Sequence, residues 1–402
     1  MHFLFVSSFL GPTVGGLETL MARMSKWLFV KGHRVTLLVN CVPDECRELF
    51  VRGVAIKELG NRLSQFCYRH KALSLWKDLG IERPDVIKAF DLPSTWIVSV
   101  LAAGMEPVPK VIFGNYFPYV IPRNPNPFRF ATYKLYLHNV TKTFFDESIL
   151  CISEEQITEF RYHYGQYRNP IFWTLPVEDP SHGNPVREPE HGRIVSVGRL
   201  SPMKEYNLYM TDVVARLRQK GYPVTWTVYG EGEFFEAMRA RIHALGLGGV
   251  VELKGNLPYT RFAEAMRNAY VFVGMGTSAI EAAMCGVPSV VALAYDTKGV
   301  THGCLYEYRF GNCGVIMENA PMKTVESEIE RILGLPAVSY EQEMLRTRDY
   351  AGAYSLDPTM ERFLEIARKA PAPRTIHLFF YWYYIHRLME QTGKRLKGKG
   401  SG

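Results

Sequence analysis

The chain has 402 residues, 47% of them apolar and 22% charged, and a formal net charge of +7. That length exceeds one ordinary core and predicts two domains, and the composition excludes a disordered or fibrous chain. From Lys369 onward seven Lys and Arg stand against one Glu, so +6 of the charge sits at the end, and the near-neutral body is not expected to bind nucleic acid.

Seven cysteines lie apart, at 41, 46, 67, 151, 285, 304 and 313, with no Cys-x-x-Cys pair. A zinc or redox motif is therefore unsupported, and a reducing cytoplasmic compartment is expected. The opening residues, MHFLFVSSFLGP, lack a basic stretch and a small-residue cleavage site. They read as a first strand rather than a signal peptide. No run reaches the ~18 apolar residues that a spanning helix needs.

Short apolar runs then alternate with longer helical stretches. They predict strands at residues 3–7, 35–40, 54–58, 86–90, 111–114, 150–153, 194–197, 225–229, 250–254, 271–274, 289–293 and 315–317. Runs this apolar imply strands covered on both faces, hence parallel sheets joined by crossover helices. Residues 172–190 are rich in Pro, Gly, His and Asp without periodicity and read as a linker. The expected fold class is α/β, with two Rossmann-like domains at 1–170 and 191–355 and the linker at 171–190. An amphipathic helix at 356–370 and an aromatic, then basic, tail at 371–402 follow.

The first predicted strand runs into Gly11-Pro-Thr-Val-Gly15-Gly16-Leu17-Glu18, ahead of a helix at 19–30. Gly15 and Gly16 either bring backbone close to a ligand at a helix N-terminus or make a plain strand–helix turn. The loop is not the Gly-x-Gly-x-x-Gly dinucleotide fingerprint. Glu18 and Asp91 are candidate acceptor contacts, although Asp91 serves equally well as a helix cap. Asn115, which ends the run Val111-Ile-Phe-Gly-Asn115, can donate and accept hydrogen bonds but cannot titrate.

In the second half, Val197-Gly198-Arg199-Leu200-Ser201-Pro202-Met203-Lys204 places two cations just past a strand's carboxyl end. Open α/β sheets bind ligands at that edge. Arg199 can clamp a phosphate bidentately and Lys204 adds a point charge, although most such cations are simply solvated. The glycines of Tyr229-Gly230-Glu231-Gly232 open room for a ligand or make a turn. Gly255-Asn256-Leu257-Pro258 ends the next strand, or offers backbone groups to a nucleobase edge.

The stretch from Tyr270 to Leu293 carries the most information. A strand turns through Gly274, Gly276, Thr277 and Ser278 into a helix from about 279 to 285, stops at Gly286 and Pro288, and re-enters a strand. A helix beginning right after glycines aims bare N–H groups and its positive dipole end at an anion. Glu281, expected in the first turn, can accept hydrogen bonds from sugar hydroxyls. A diphosphate on the amides with a ribose on the carboxylate is a nucleotide sugar.

Together these motifs resemble the retaining GT-B glycosyltransferases of family 4, over roughly residues 1–370. Those that carry the resemblance are Gly15-Gly16-Leu17-Glu18, Gly32-His33-Arg34-Val35, Gly198 to Lys204, Gly230-Glu231-Gly232, Gly255, and Ile280-Glu281-Ala-Ala-Met-Cys-Gly-Val-Pro288. The resemblance implies two nucleotide-fold lobes facing across a cleft, the first binding acceptor and the second the nucleotide sugar. It implies that Arg199 and Lys204 bind the donor diphosphate and that Glu281 binds the ribose. Gly276, Thr277 and Ser278 would lie under the phosphates, Asn256 and Leu257 near the base, and Gly15 and Gly16 at the phosphate from the facing lobe. The family often has a sugar-holding Glu eight residues before the second Glu of its motif; here that position is Val273. Asn115 stands where a histidine is common.

Such transfer implies a UDP- or GDP-sugar donor, a glycan or lipid-linked saccharide acceptor, and little protein acid–base chemistry. The leaving diphosphate can take the acceptor's proton while Arg199, Lys204 and the helix amides stabilise its charge. With no Asp-x-Asp motif in the chain, no metal or other cofactor is expected. A nucleotide-sugar epimerase and a catalytically degenerate subunit binding a partner or membrane are the alternatives. In the tail, residues 375–399 are aromatic and then cationic, which suits an anionic membrane surface on the cytoplasmic side. A terminal helix packed on the first domain is the other reading.

Overall fold

The computed structural model describes residues 1–8, 10, 15–60, 76–119, 127–183 and 187–374. The chain forms two compact units. One comprises residues 1–152 and 156–173 and takes up the chain again from Met360; the other comprises 174–359 with 153–155.

The first unit is built on a seven-stranded sheet: β1 (His2–Ser7), β2 (Arg34–Val39), β3 (Ala55–Glu58), β4 (Val86–Ala89), β5 (Lys110–Asn115), β6 (Ile149–Cys151) and β7 (Ile171–Phe172). Its order is β3-β2-β1-β4-β5-β6-β7, and each described pairing is parallel. All six residues of β1 are buried, as a strand covered on both faces requires. Helix α1 (Gly16–Val30) follows β1, α2 (Ser94–Ala103) follows β4, α3 (Pro127–Thr143) follows β5 and α4 (Glu154–Tyr164) follows β6.

The two faces of this sheet differ in chemistry. Leu4, Val6, Ile87, Ala89, Val111 and Phe113 pack an aliphatic core against Ile97 and Leu101 of α2 and Leu137 and Val140 of α3. Alternate residues point the other way, and there Phe3, Phe5, Phe90, Tyr116, Trp173 and Phe363 form a closed circuit. Successive ring centroids lie 4.9 to 6.3 Å apart. Inside the circuit sits Lys88, fully buried, with its ammonium nitrogen 4.8 Å from the Phe90 ring centre, 5.0 Å from Tyr116, 5.3 Å from Phe363 and 5.7 Å from Trp173.

The second unit carries a five-stranded sheet of β8 (Arg193–Val197), β9 (Thr225–Tyr229), β10 (Val251–Leu253), β11 (Val271–Gly274) and β12 (Ser289–Val291), ordered β10-β9-β8-β11-β12 and parallel. Helices α5 (Tyr206–Gln219), α6 (Phe235–Ala244) and α7 (Thr277–Met284) follow β8, β9 and β11. A small antiparallel pair, β13 (Val300–Thr301) and β14 (Lys323–Thr324), precedes α8 (Val325–Leu333) and α9 (Ala337–Gly352). The last helix, α10 (Leu356–Lys369), buries Met360, Phe363, Leu364 and Ala367, the i, i+3, i+4, i+7 stripe of an amphipathic helix.

Three expectations change. Residues 315–317 are not a strand: Asn312 Oδ1 accepts from the Val315 amide and His302 Nε2 from that of Met317, so side chains replace a ladder. The segment expected as a linker is bonded to structure at both ends. Phe172 lies in β7, and the Arg187 guanidinium donates to the carbonyls of Met266, Arg267 and Ala269. Helix α7 begins at Thr277, two residues earlier than expected. Among the described residues no helix is long and apolar enough to cross a membrane. Residues 371–374 pack on the first unit, Pro371 accepting from the Val111 amide and Arg374 donating to the Thr143 carbonyl. Most of the tail, residues 375–402, lies outside the described residues.

Candidate functional site

In the second unit the loops after β8, β9 and β10 extend the parallel hydrogen bonding beyond the sheet. Gly198 N donates to Tyr229 O at 2.9 Å, Leu200 N to Glu231 O at 2.9 Å, and Gly230 N to Gly255 O at 2.7 Å. This stacking depends on glycine. A Cβ at Gly230 would run into the Gly198 carbonyl, and a Cβ at Gly198 into Lys204 Nζ. Both have left-handed φ, +148° and +152°. Of the two readings offered for Gly230, room for a ligand or a turn, the geometry favours the turn, since its side-chain space is filled by the neighbouring loop. Its part is to let that loop approach.

The ladder fixes the turn that holds the cations. Ser201 O accepts from Lys204 N at 2.7 Å, closing the short 3-10 turn Pro202–Lys204, and Lys204 O accepts from Asn207 Nδ2 at 2.9 Å. The ammonium is folded back over Gly198. Burial, then the neighbouring Arg199, lower the Lys204 pKa to about 8 against the opposing pull of Glu281. Arg199, Lys204 and Glu281 thus share one electrostatic neighbourhood.

Glu281 reaches it from α7. The helix starts two residues early, so Glu281 stands in its second turn, not the first, with 5% of its surface exposed. Gly276 caps the helix at φ +71°, ψ −149°, a conformation open essentially to glycine, and its amide donates to Cys313 O. Thr277 and Ser278 supply the first amides, ahead of the i→i−4 ladder, at the positive end of the dipole. Ser278 Oγ donates back to Met275 O at 3.2 Å, while Thr277 stays half-exposed. Asn256 is exposed and Leu257 half-buried, just after Gly255, on the loop that completes the ladder.

The carboxyl edge of the first sheet answers differently. Gly15 is the N-cap of α1 and Gly16 its first residue, with nothing within 4 Å of a Cβ placed at Gly16; residues 11–14 of their loop lie outside the described residues. Glu18, in the first turn of α1, is buried to 3% exposure rather than presented at the surface. Asp91 accepts hydrogen bonds from Ser7 Oγ (2.8 Å), Ser8 N (2.7 Å), Ser8 Oγ (2.8 Å) and Ser94 N (2.7 Å). Burial raises its pKa despite those four bonds. Of the two readings offered for Asp91, acceptor contact or helix cap, these bonds are those of a cap, which also clamps the loop after β1 to the start of α2. Asn115 ends β5 beside Cys151 of β6, buried, with its Nδ2 unpaired among the described residues.

Two clusters are absent from the expectations drawn from sequence. Lys88 gives a sequence signal, a lysine inside the four-residue apolar strand Val86–Ala89. Cys304, Glu307 and Glu328 place ligand-type atoms within 4.8 Å of one another. Their carboxylates are already paired, however. Lys323 bridges Glu307 (2.6 Å) and Glu328 (3.1 Å), and Arg331 bridges Glu328 (2.7 Å) and Glu343 (2.6 Å). This is an ion-pair network joining β14, α8 and α9, remote in sequence from the cationic turn.

Comparison with known proteins matches both units. Residues 14–172 match the model described as Glycosyltransferase Family 4, and residues 180–338 match Glycosyl transferases group 1. A search of the curated proteins returned no match. Among solved structures, a mutant of S. aureus TarM in complex with fondaparinux, alpha-GlcNAc-glycerol and UDP superposes with a TM-score of 0.67 at 12% identity, covering 91% of this chain and 100% of that one. Anabaena HepE with UDP and glucose gives 0.68 at 14% identity, covering 92% and 100%. Sucrose-phosphate synthase from Thermosynechococcus elongatus gives 0.65 at 14%, covering 92% and 98%. At these identities the likeness is one of fold.

Proposed function

The chain is a GT-B glycosyltransferase, carrying the family 4 model in its first half and the group 1 model in its second, and on that premise we propose that it transfers a hexose or deoxyhexose from a UDP- or GDP-sugar to a glycan or lipid-linked saccharide. The observation that carries this reading is the meeting of Arg199, Lys204, Glu281 and the N-terminus of α7 at one sheet edge. Two cations and a helix dipole suit a diphosphate, and a buried carboxylate among them suits a ribose diol. The fold relatives solved with UDP support a nucleoside diphosphate donor.

The bond from the anomeric carbon to the phosphate oxygen breaks, and the acceptor hydroxyl oxygen bonds to that carbon. Its proton passes to the leaving diphosphate on the same face, which preserves the configuration. The enzyme's work is orientation and charge stabilisation. Arg199 and Lys204 hold the phosphates, the Thr277 and Ser278 amides add fixed dipoles, and Asn256 and Leu257 border the base. Because these groups already supply positive charge, transfer proceeds without a metal ion and chelation with EDTA leaves the rate unchanged.

The acceptor lies at the cytoplasmic face of a membrane, a reading supported by the aromatic and basic sequence of residues 375–399. Calorimetry with UDP, GDP and other nucleoside diphosphates tests the donor site. Glu281→Ala and Arg199→Ala should each weaken binding about tenfold or more, since a charged hydrogen bond is worth about 1.5–3 kcal/mol. Unchanged affinity in both variants refutes it.

A further inference from the structure

The start of α7 is braced by a loop far along the chain, and the role inferred for that loop rests on the nucleotide-diphosphate reading of this site. Residues 311–315 bond to the loops that leave both β11 and β12. Cys313 O accepts from Gly276 N at 2.8 Å, and Gly314 O accepts from Ala294 N at 2.8 Å. The fit is close, since a Cβ at Gly314 would lie 2.8 Å from Ala292 O and 3.1 Å from Met275 Cβ. One side chain shapes the loop. Asn312, at 1% exposure, accepts at Oδ1 from the amides of Gly314 (3.1 Å) and Val315 (2.9 Å), and its Nδ2 donates to Val315 O at 2.9 Å. Asparagine suits this place because its side chain imitates a backbone turn by bonding to groups just beyond itself. At the loop's other end the Tyr354 hydroxyl accepts from the Gly311 amide at 2.8 Å.

The brace decides which amides α7 offers. Gly276 N is committed to Cys313 O, and Ala279 N donates to Gly276 O at 3.2 Å. Thr277 and Ser278 then carry the amides that face an anion. The same bond holds Gly276 at φ +71°, ψ −149°, which sets the direction of the two amides that follow. We propose that Asn312 is a positioning residue for donor capture: by shaping residues 311–315 it holds the Cys313 carbonyl on Gly276, and so aims the Thr277 and Ser278 amides at the diphosphate. Without its side chain the buried amides of Gly314 and Val315 lose their acceptor, the turn opens to hydrate them, and Cys313 O is no longer held in place. The loss falls on the phosphates. Asn256 and Leu257, assigned to the base, lie on a different loop, after β10.

Inorganic pyrophosphate carries two phosphates without base or sugar, and uridine and guanosine carry base and ribose without phosphate. NMR titration of the full chain with each separates the two halves of the donor. In Asn312→Ala pyrophosphate affinity should fall about tenfold, the scale of one charged hydrogen bond, while the nucleoside that binds keeps its affinity within about twofold. An asparagine that only supports the fold would weaken both alike. Equal loss of the two, or unchanged pyrophosphate affinity, overturns the proposal. Asn312→Ser keeps an oxygen for the Gly314 amide and should lose less than Asn312→Ala; it carries the same comparison if the alanine variant does not fold. A ligand-free measurement separates the brace from the donor reading. Hydrogen exchange at the Gly276 amide should quicken about tenfold or more in Asn312→Ala, while Ala283 and Met284 inside α7 keep their rates. Unchanged exchange at Gly276 overturns the proposal whatever the chain binds. If pyrophosphate and every nucleotide fail to bind the native chain while that exchange quickens, the donor reading and the positioning role both fall and only the brace remains.

Discussion

Lys88 is the residue whose chemistry is most at odds with its surroundings. It has no carboxylate beside it among the described residues, only ring faces, and burial holds its pKa well below the usual lysine value. The unfolded chain therefore binds the proton more tightly than the folded one. Stability rises as pH climbs from the lowered value toward the usual 10.5, and below that window the full penalty applies. Lys88→Met, of similar length and apolar, should raise stability at pH 7 by about 1–3 kcal/mol. Thermal denaturation of both proteins at pH 7 and pH 10 checks it: the gap should narrow at the higher pH. Asp91 makes the opposite case, a buried carboxylate fully committed to its own chain. Asp91→Ala should cost about 3 kcal/mol by orphaning the Ser7, Ser8 and Ser94 donors, and a denaturant titration measures it. The cap that Asp91 makes to Ser94 is one of the two readings its sequence position offers, whereas the ring cage of Lys88 and the Ser7 and Ser8 partners of Asp91 were not legible. A lysine or aspartate in an apolar run does not say whether it faces ligand, ring or serine, because its partners come from distant strands.

At the scale of elements, the glycine-dependent ladder across β8, β9 and β10 is the feature on which the cationic turn depends. Gly230→Ala forces the Gly198 carbonyl away and adds left-handed strain. Nucleotide affinity should fall about tenfold or more while circular dichroism stays native-like; undisturbed affinity would show that the loops are not coupled. The central strands, such as β1, β4 and β11, were legible because both their faces are buried, which writes a continuous apolar run into the sequence. Residues 315–317 imitate such a run, yet Asn312 and His302 take their amides. β7 is two residues long, too short to leave a period. The early start of α7 was hidden because Gly276 can cap a helix only from a conformation that the sequence does not announce. Arg199, Lys204 and Glu281 could nonetheless be singled out, since cations past a strand end and a carboxylate after a glycine turn are local patterns, and the fold brings the three into one electrostatic neighbourhood.

For the whole molecule, two parallel sheets each built from βα units bring distant segments together, which makes for slow folding. The charge distribution adds a second global property. Residues 375–402 hold +4 of the net +7. A chain ending at Arg374 should fold normally, keep nucleotide binding and lose sedimentation with vesicles rich in anionic lipid; equal sedimentation of both forms refutes the membrane reading. The two-domain plan could be read from length and pattern alone. The return of the last helix to the first unit could not, because amphipathicity says that a face is covered without saying by what.

That return has a consequence for biosynthesis. Phe363 closes the aromatic circuit around Lys88, and it is made only after all of residues 174–359. While the ribosome is still translating the second unit, the nascent first unit has an unfinished core, with Phe3 and Trp173 lacking their Phe363 neighbour. The usual sequence, N-terminal domain complete before the next emerges, is closed to this chain. Its early half must wait for its last helix, in the care of chaperones or the trailing polypeptide.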